Sequence, residues 1–125
     1  MTTQDGSMAR LSTALRDIDH HIGANVERGR EIQRRVRLLR EHIDQGAPIA
    51  GLIAAEDAPR VVEMITINME TLEDAGSELR ASLALALRQE GLTLAEIAEL
   101  FGVTRQRISA LLRQRAALEV GSTRR

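Results

Sequence analysis

An apolar stripe with heptad spacing runs through the first third of the chain. No proline occurs between residues 8 and 44, and the steps along the stripe alternate between four and three residues. Its positions are Leu11, Leu15, Ile18, Ile22, Asn25, Gly29, Ile32, Val36, Leu39 and Ile43. This spacing aligns the side chains on one face of a helix. Such a helix would be about 55 Å long, too long to bury its stripe in one small domain. The pattern therefore predicts a long helix that needs a partner helix.

Two positions of the stripe are unfavourable for a simple apolar seam. Asn25 and Gly29 lie in it, with Gly23 close by, and each glycine inside a helix costs about 1 kcal/mol relative to alanine. One interpretation is a bend or break between residues 23 and 29. The other is that Asn25 fixes the register and the number of strands at some cost in stability. The sequence leaves both open.

The middle of the chain contains two further helical patterns. Residues 46–48 (Gly-Ala-Pro) end the first helix, and residues 49–55 predict one or two helical turns that plug the end of a bundle, or alternatively a partner-binding patch. Residues 57–59 (Asp-Ala-Pro) predict a helix start, with proline at an early helical position. A stripe three and four residues apart follows, and Ser77 could cap a fresh helix. Whether residues 59–90 form one bent helix or two stays open. The stripe consists of Val62, Ile65, Met69 and Leu72.

The C-terminal third predicts two short helices joined by a tight turn. Thr93 and Glu96 have capping-box spacing, and Gly102 follows the apolar positions Leu94, Ile97, Ala98 and Phe101. Thr104 is a second N-cap. The helix after it buries a stripe of Ile108, Leu111, Leu112 and Arg115 and turns Gln106, Ala110 and Arg113 away from that stripe. Two helices joined by a three-residue turn that contains glycine define a helix-turn-helix.

The exposed face of the second helix is unusually basic. Between Thr104 and Arg115 there are four arginines and no acidic residue. The net charge of the chain is only −1, but the charge is unevenly distributed. Residues 46–87 hold two arginines against seven acidic residues, whereas residues 104–125 hold six arginines against one glutamate. Because phosphate contacts respond to the local field, this polarity favours DNA binding by the C-terminal part.

Residues 92–108, LTLAEIAELFGVTRQRI, resemble the helix-turn-helix of region 4 of bacterial sigma factors and, more loosely, that of site-specific recombinases. The resemblance covers Leu79 to about Ala117. It implies base contacts from Arg105 and Gln106 and backbone contacts from Thr104, Arg107 and Ser109. Two positions depart from the family. Gln106 stands where sigma factors commonly carry glutamate, and Ala110 stands where they commonly carry a polar residue that contacts a base. The resemblance therefore does not imply the promoter specificity of the family.

From the resemblance and the helix face together we predict two sets of DNA-contacting residues. Guanidinium forks match guanine and glutamine matches adenine, whereas hydroxyl groups and remaining arginines suit phosphates. The predicted base contacts are Arg105, Gln106, Ser109 and Arg113. The predicted phosphate contacts are Thr93, Thr104, Arg107 and Arg115, with Gly102 as the turn residue.

Composition supports an all-α fold and argues against other classes. Aromatic residues make up 1 % of the chain, Phe101 alone, so the core must consist of aliphatic side chains and methionine. There is no cysteine and no signal-peptide or membrane-spanning pattern. No catalytic, cofactor or metal constellation is evident, and His20 and His21 point about 100° apart on a helix. All seventeen basic residues are arginine, which indicates a GC-rich bacterial genome. We therefore expect a cytoplasmic protein that is not an enzyme.

The predicted fold is a long N-terminal helical hairpin or coiled-coil-like dimerisation region followed by a trihelical helix-turn-helix. Its predicted divisions are a disordered tail (1–7), the dimerisation region (8–75), the DNA-binding domain (76–118) and a flexible basic tail (119–125). We expect a homodimeric, sequence-specific regulator that binds double-stranded DNA through the major groove. The alternative is a coiled-coil adaptor whose sigma-like helix-turn-helix binds RNA polymerase or another regulator rather than DNA.

Overall fold

The computed structural model describes the backbone of residues 3–123 and the side chains of residues 6–114. This part of the chain contains helices and no strand, which confirms the all-α prediction. The helices are α1 (Thr3–Asp44), α2 (Ile49–Ala55), α3 (Val61–Gln89), α4 (Leu94–Phe101) and α5 (Arg105–Thr123). None of the described helices combines the length and the apolar character needed to span a membrane.

The chain divides into two compact units. The first, which we call the head unit, comprises residues 1–18 and 75–125 and so contains α4, α5 and one end each of α1 and α3. The second, the hairpin unit, comprises residues 19–74. Its C-terminal limit lies next to the predicted boundary at residue 75, whereas the first eighteen residues cluster with the C-terminal part.

In the hairpin unit, α1 and α3 pack antiparallel around a polar contact. Asn25 Nδ2 donates to the carbonyl of Asn68 (2.9 Å), and Asn68 Nδ2 donates back to the carbonyl of Asn25 (3.1 Å). The side-chain oxygen of Asn25 accepts from Thr71 Oγ1 (2.9 Å), and Arg28 Nη1 donates to Asn68 Oδ1 (2.7 Å). Because α1 is a continuous helix, the break near residues 23–29 does not occur. Asn25 fixes the register of the hairpin.

The apolar stripe of α1 does not act as one seam. Every seventh residue starting from Leu11 is half-buried, which includes Ile18, Ile32 and Leu39. In the other half of the stripe, the four apolar side chains Leu15, Ile22, Val36 and Ile43 stay 41–51 % exposed. The hairpin seam itself includes Arg28 and Arg35; Arg35 Nη1 donates to the carbonyls of Asp57 (3.1 Å) and Pro59 (2.8 Å). Two long polar side chains from outside the predicted stripe thus take part in the seam.

The connection between the two long helices holds α2, as the sequence predicts. The next helix begins at Val61, so Pro59 lies before it and not in its first turn. Carboxylates cap this start instead: Glu56 accepts from the amide of Val61 (3.0 Å) and Glu63 from that of Arg60 (2.7 Å). The side chain of Arg60 donates to the carbonyl of Ile53 (3.1 Å), which ties the end of α2 to the start of α3.

Two terminal predictions differ from the observed helices. The predicted tail 1–7 is wrong for residues 3–7, because α1 begins at Thr3 and Ser7 is buried. The predicted tail 119–125 overlaps α5, which extends to Thr123, while residues 124–125 lie outside the described part. The interval 59–90, left open by the sequence, contains one continuous α3, so Ser77 caps no new helix.

Candidate nucleic-acid interface

The first helix of the candidate site, α4, begins with the predicted capping box. Thr93 Oγ1 accepts from the amide of Glu96 (3.1 Å), and the Glu96 carboxylate accepts from the amide of Thr93 (2.8 Å). These hydrogen bonds from Thr93 hold the pKa of Glu96 below its ordinary value. The helix start is therefore fixed by two side chains that are adjacent to solvent.

The turn after α4 requires a left-handed residue. Gly102 has φ 68° and ψ 34°, and its amide donates to the carbonyls of Ala98 and Glu99. The amide of Val103 donates to the carbonyl of Ala98 (3.0 Å), which completes the C-terminal capping motif. Glycine adopts this conformation without a Cβ penalty. The angle between α4 and α5 is set within these few residues.

The second helix of the candidate site, α5, is anchored by a closed apolar core. Its N-cap Thr104 accepts from the amide of Arg107 (3.1 Å). Ile108 and Leu111 are buried against Ile97 of α4 and Ala84 of α3, with exposures of 1 % or less. Partly buried side chains surround this cluster: Leu87, Leu92, Leu94, Phe101 and Leu112. Because one face of α5 packs against α3 and α4, its opposite face is fixed in orientation.

That opposite face contains most of the predicted DNA-contacting residues. Arg105, Gln106, Arg107 and Arg113 are exposed and Ser109 is half-buried. Arg105, Gln106 and Ser109 also line an open hollow of about 430 Å³, together with Leu94 and the cap residue Thr104. The hollow thus lies where α4 and α5 both begin. Helix N-termini present unpaired amides and a positive dipole, which suits a phosphate group.

The charge of this face is uncompensated by neighbouring residues of α5. Arg113 Nη1 donates to Ser109 Oγ at 3.5 Å, so two predicted base readers are linked. Between Arg105 and Gln114 there is no acidic side chain, and Arg105, Arg107 and Arg113 form no ion pair with any residue that the structure describes. In α1, by contrast, Arg30 and Arg34 pair with glutamates one turn away.

Of the other predicted phosphate contacts, Thr93 does not line the hollow. Thr93 is exposed at the N-terminus of α4, one residue before Leu94 at the hollow, and its hydroxyl is also engaged in the cap. The side chain of Arg115 lies outside the described residues. The sequence analysis missed two apolar side chains near the turn, Leu100 and Val103, which are 66 % and 41 % exposed. The sequence feature that could have revealed Leu100 is its position outside the apolar stripe of α4.

The fold and the basic face define a helix-turn-helix DNA-binding region in the C-terminal part of the chain. Residues 80–117 match the family model of Sigma-70, region 4, which confirms the resemblance seen in the sequence. The matched segment begins in α3 and includes all of α4 and the turn. No curated protein and no solved structure matches the chain. The family match therefore lies within the head unit and does not extend to residues 19–74.

Proposed function

We propose that this protein is a sequence-specific, double-stranded DNA-binding regulator of transcription that acts as a homodimer through the major groove. Its setting is the bacterial cytoplasm, and it needs neither a cofactor nor a catalytic step. The observation that carries the proposal is the exposed, acid-free face of α5 opposite a core in which Ile97 and Ile108 are fully buried. A major groove is wide enough to accept such a helix.

The first turns of α5 supply the base contacts in this proposal. Arg105 and Gln106 lie at its N-terminal end, where recognition helices meet base edges. Arg113 and Ser109 follow on the same face and are joined by their own hydrogen bond. A guanidinium group pairs with guanine and a carboxamide group with adenine through two hydrogen bonds each. We therefore expect the preferred DNA site to contain both guanine and adenine at the contacted positions.

The flanking residues supply the contacts to phosphates. Thr93 and Thr104 cap α4 and α5, so an oxygen of the DNA backbone near either hydroxyl also meets helix N-terminal amides. Arg107 adds a positive charge on the flank of α5. A homodimer would place two such sites on half-sites about 34 Å apart when its two-fold axis coincides with that of the DNA.

Alanine variants at Arg105 and Arg107 separate base reading from phosphate binding. The probes are a duplex selected from a random pool by the wild-type protein and an unselected duplex, each titrated at two salt concentrations. We expect Arg105→Ala to lose about ten- to a hundredfold on the selected duplex and little on the unselected one. We expect Arg107→Ala to weaken both and to reduce the salt dependence by about one unit of slope. Equal losses on both duplexes for Arg105→Ala would contradict base reading.

A second function is favoured by the apolar residues beside the turn. Leu100 and Val103 are exposed within the head unit, and no base or phosphate contact needs them. In this alternative the sigma-like unit is an adaptor that binds RNA polymerase or another regulator rather than DNA. Leu100→Ser should then abolish co-purification with RNA polymerase, and the wild-type protein should show no salt-dependent retention on a DNA column. Retention on a DNA column that falls steeply with salt favours the first function.

A further inference from the structure

The hairpin unit exposes two apolar stripes, one on each long helix. On α3 the stripe consists of Val62, Ile65, Met69 and Leu72, which are 41–67 % exposed. On α1 it consists of Ile22, Val26, Val36 and Ile43, which are 41–47 % exposed. Within residues 19–74, by comparison, Val61 and Met64 are the buried hydrophobic residues. More large apolar side chains of this unit face solvent than are buried.

Both stripes lie on the same side of the hairpin. On α3 each exposed residue follows one that faces α1, as Met69 follows Asn68 and Leu72 follows Thr71. On α1, Val36 likewise follows Arg35, which contacts the start of the α3 segment. A step of one residue rotates the side-chain direction by about 100° around the helix axis, in the same sense for both helices when each is viewed along its own chain direction. Because the two helices run antiparallel, the two rotations bring both stripes to one common side, which we call the apolar face.

The short helix α2 leaves the apolar face uncovered. It lies beside the other flank of α1, where Leu38, Leu39 and Leu52 line one hollow of about 400 Å³. Leu38 is two residues beyond Val36 and so points about 200° away from it around α1. The connection of the hairpin therefore covers the side opposite the apolar face.

The apolar face is large enough and regular enough for a stable interface. The register set by Asn25 and Asn68 places Ile22 level with Leu72 and Val26 level with Met69. The exposed area of the eight side chains is roughly 700 Å² per protomer, close to the share that each partner contributes to a standard interface. Monomers seldom expose a contiguous apolar patch of this size.

We propose that the apolar face is covered by the same face of a second copy, so that two hairpin units form an antiparallel four-helix bundle. In this bundle α1 of one protomer lies beside α3 of its partner. The inference deepens the homodimer of the proposed function and rests on it, but it does not depend on any DNA contact. A fold in which each protomer supplies two stripes to a closed bundle is the common solution for such helices.

The levels of the two stripes favour this pairing over the alternative in which α1 lies beside its own copy. Within one protomer Ile22 is level with Leu72, and Val26 is level with Met69. Placing α1 beside α3 of the partner keeps these levels, so that an apolar residue meets an apolar residue at each of them.

The pairing fixes which residues meet across the interface. Its two-fold axis runs along the bundle, so heights along the helices are preserved from one protomer to the other. Val26 and Met69, which share a level but point apart within one protomer, then lie side by side between protomers. The chain enters and leaves the hairpin unit at residues 18–19 and 74–75, and in this arrangement all four crossings lie at one end of the bundle.

Disulfide formation tests the pairing directly, because the chain contains no cysteine. We expect the double variant Val26→Cys/Met69→Cys to form a covalent dimer under mild oxidation, seen at twice 13.8 kDa on a non-reducing gel. Each single variant should remain uncrosslinked. Crosslinking by either single variant would overturn the pairing in favour of like helices side by side. A double variant that forms no intermolecular bond would also overturn it.

Charged substitutions test the face itself. Val62→Glu/Met69→Glu should convert the dimer to a monomer in light scattering while circular dichroism stays helical. Leu38→Glu is the matched control, since Leu38 is 55 % exposed on the other side, and it should stay dimeric. A dimeric Val62→Glu/Met69→Glu variant, or a monomeric wild type, would overturn the proposal. DNA retention measured in parallel separates the two ideas: a wild-type dimer that fails to bind DNA refutes the proposed function and not the bundle.

Discussion

The head unit and the hairpin unit bury their apolar residues to very different extents. In the head unit Ile97 and Ile108 are fully buried and Leu111 nearly so. In the hairpin unit the seam contains Asn25 and Asn68, and more large apolar side chains face solvent than are buried. The first unit closes its core with local contacts between three helices. The second forms the hydrogen bonds of its backbone and polar groups but buries few large apolar side chains by itself. We therefore expect its exposed apolar side chains to pack against a partner.

The largest effect that separates the two units is expected from truncation in the head core. Ile108→Ala removes a fully buried side chain between three helices and should lower the free energy of unfolding by about 2–5 kcal/mol. Leu38→Ala in the hairpin unit, at a residue 55 % exposed, should cost less than about 1 kcal/mol. Urea unfolding followed by circular dichroism measures both. Similar losses at the two positions would mean that the two units do not differ in packing.

The polar seam of the hairpin should be the next most sensitive site. Asn25→Ala removes the side-chain oxygen that accepts from Thr71 and Arg28 and the Nδ2 group that donates to the carbonyl of Asn68, and we expect a loss of about 1–3 kcal/mol. Thr66→Ala is the control, because Thr66 is exposed and bonds only to the carbonyl of Val62 one turn earlier. Its effect should stay within about 0.5 kcal/mol. A neutral Asn25→Ala would show that the network contributes nothing to register.

Glycine substitutions should have opposite signs in the two units. Gly102→Ala introduces a Cβ at φ 68° with no atom within 4 Å, so its cost is purely conformational and about 1 kcal/mol. Gly23→Ala also meets no atom within 4 Å but lies in the interior of α1, so it should stabilise by about 0.5–1 kcal/mol. Thermal melts of the two variants give the signs. A stabilising Gly102→Ala would refute the left-handed turn.

The smallest expected effect is the pH dependence of the α4 cap. The pKa of Glu96 is lowered from 4.5 in the folded protein, so its contribution is present above that value and lost as the pH falls through the lowered one. Glu96→Gln keeps a capping side chain but cannot titrate. The wild type should be slightly more stable than this variant at neutral pH, and the difference should vanish in acid. A difference that grows in acid would contradict the assignment.

The helix-turn-helix part of the head unit, α4 to α5, could be predicted from sequence because its signals are local. Thr93 with Glu96, Gly102 and Thr104 specify helix ends within a few residues of themselves, and the stripe of Ile108 and Leu111 has one possible inward face. The positions of Arg105, Gln106 and Arg113 follow from that face. The exposure of Leu100 did not follow, because an apolar residue gives no local sign that it is left outside the core.

The hairpin was harder to predict because its partners are distant in sequence. A stripe with steps of three and four residues fits two adjacent helix faces, and only the contact between Asn25 and Asn68, forty-three residues apart, decides which half turns inward. The long polar side chains of Arg28 and Arg35 lie in the seam because carbonyl and amide groups of α3 and its preceding loop accept their hydrogen bonds. The continuity of α3 through Gly76 and Ser77 shows packing overriding local propensity.

The central claim is that the exposed face of α5 binds duplex DNA. Chemical-shift mapping of the isotope-labelled full chain, titrated with a duplex selected from a random pool, tests it at residue resolution. The account predicts salt-sensitive shifts concentrated at the amides of residues 104–113 and at Thr93, with small changes at Met64 and Asn68 in the hairpin unit. Shifts confined to Leu100 and Val103, or to the hairpin unit, or no shifts at low salt, would contradict it.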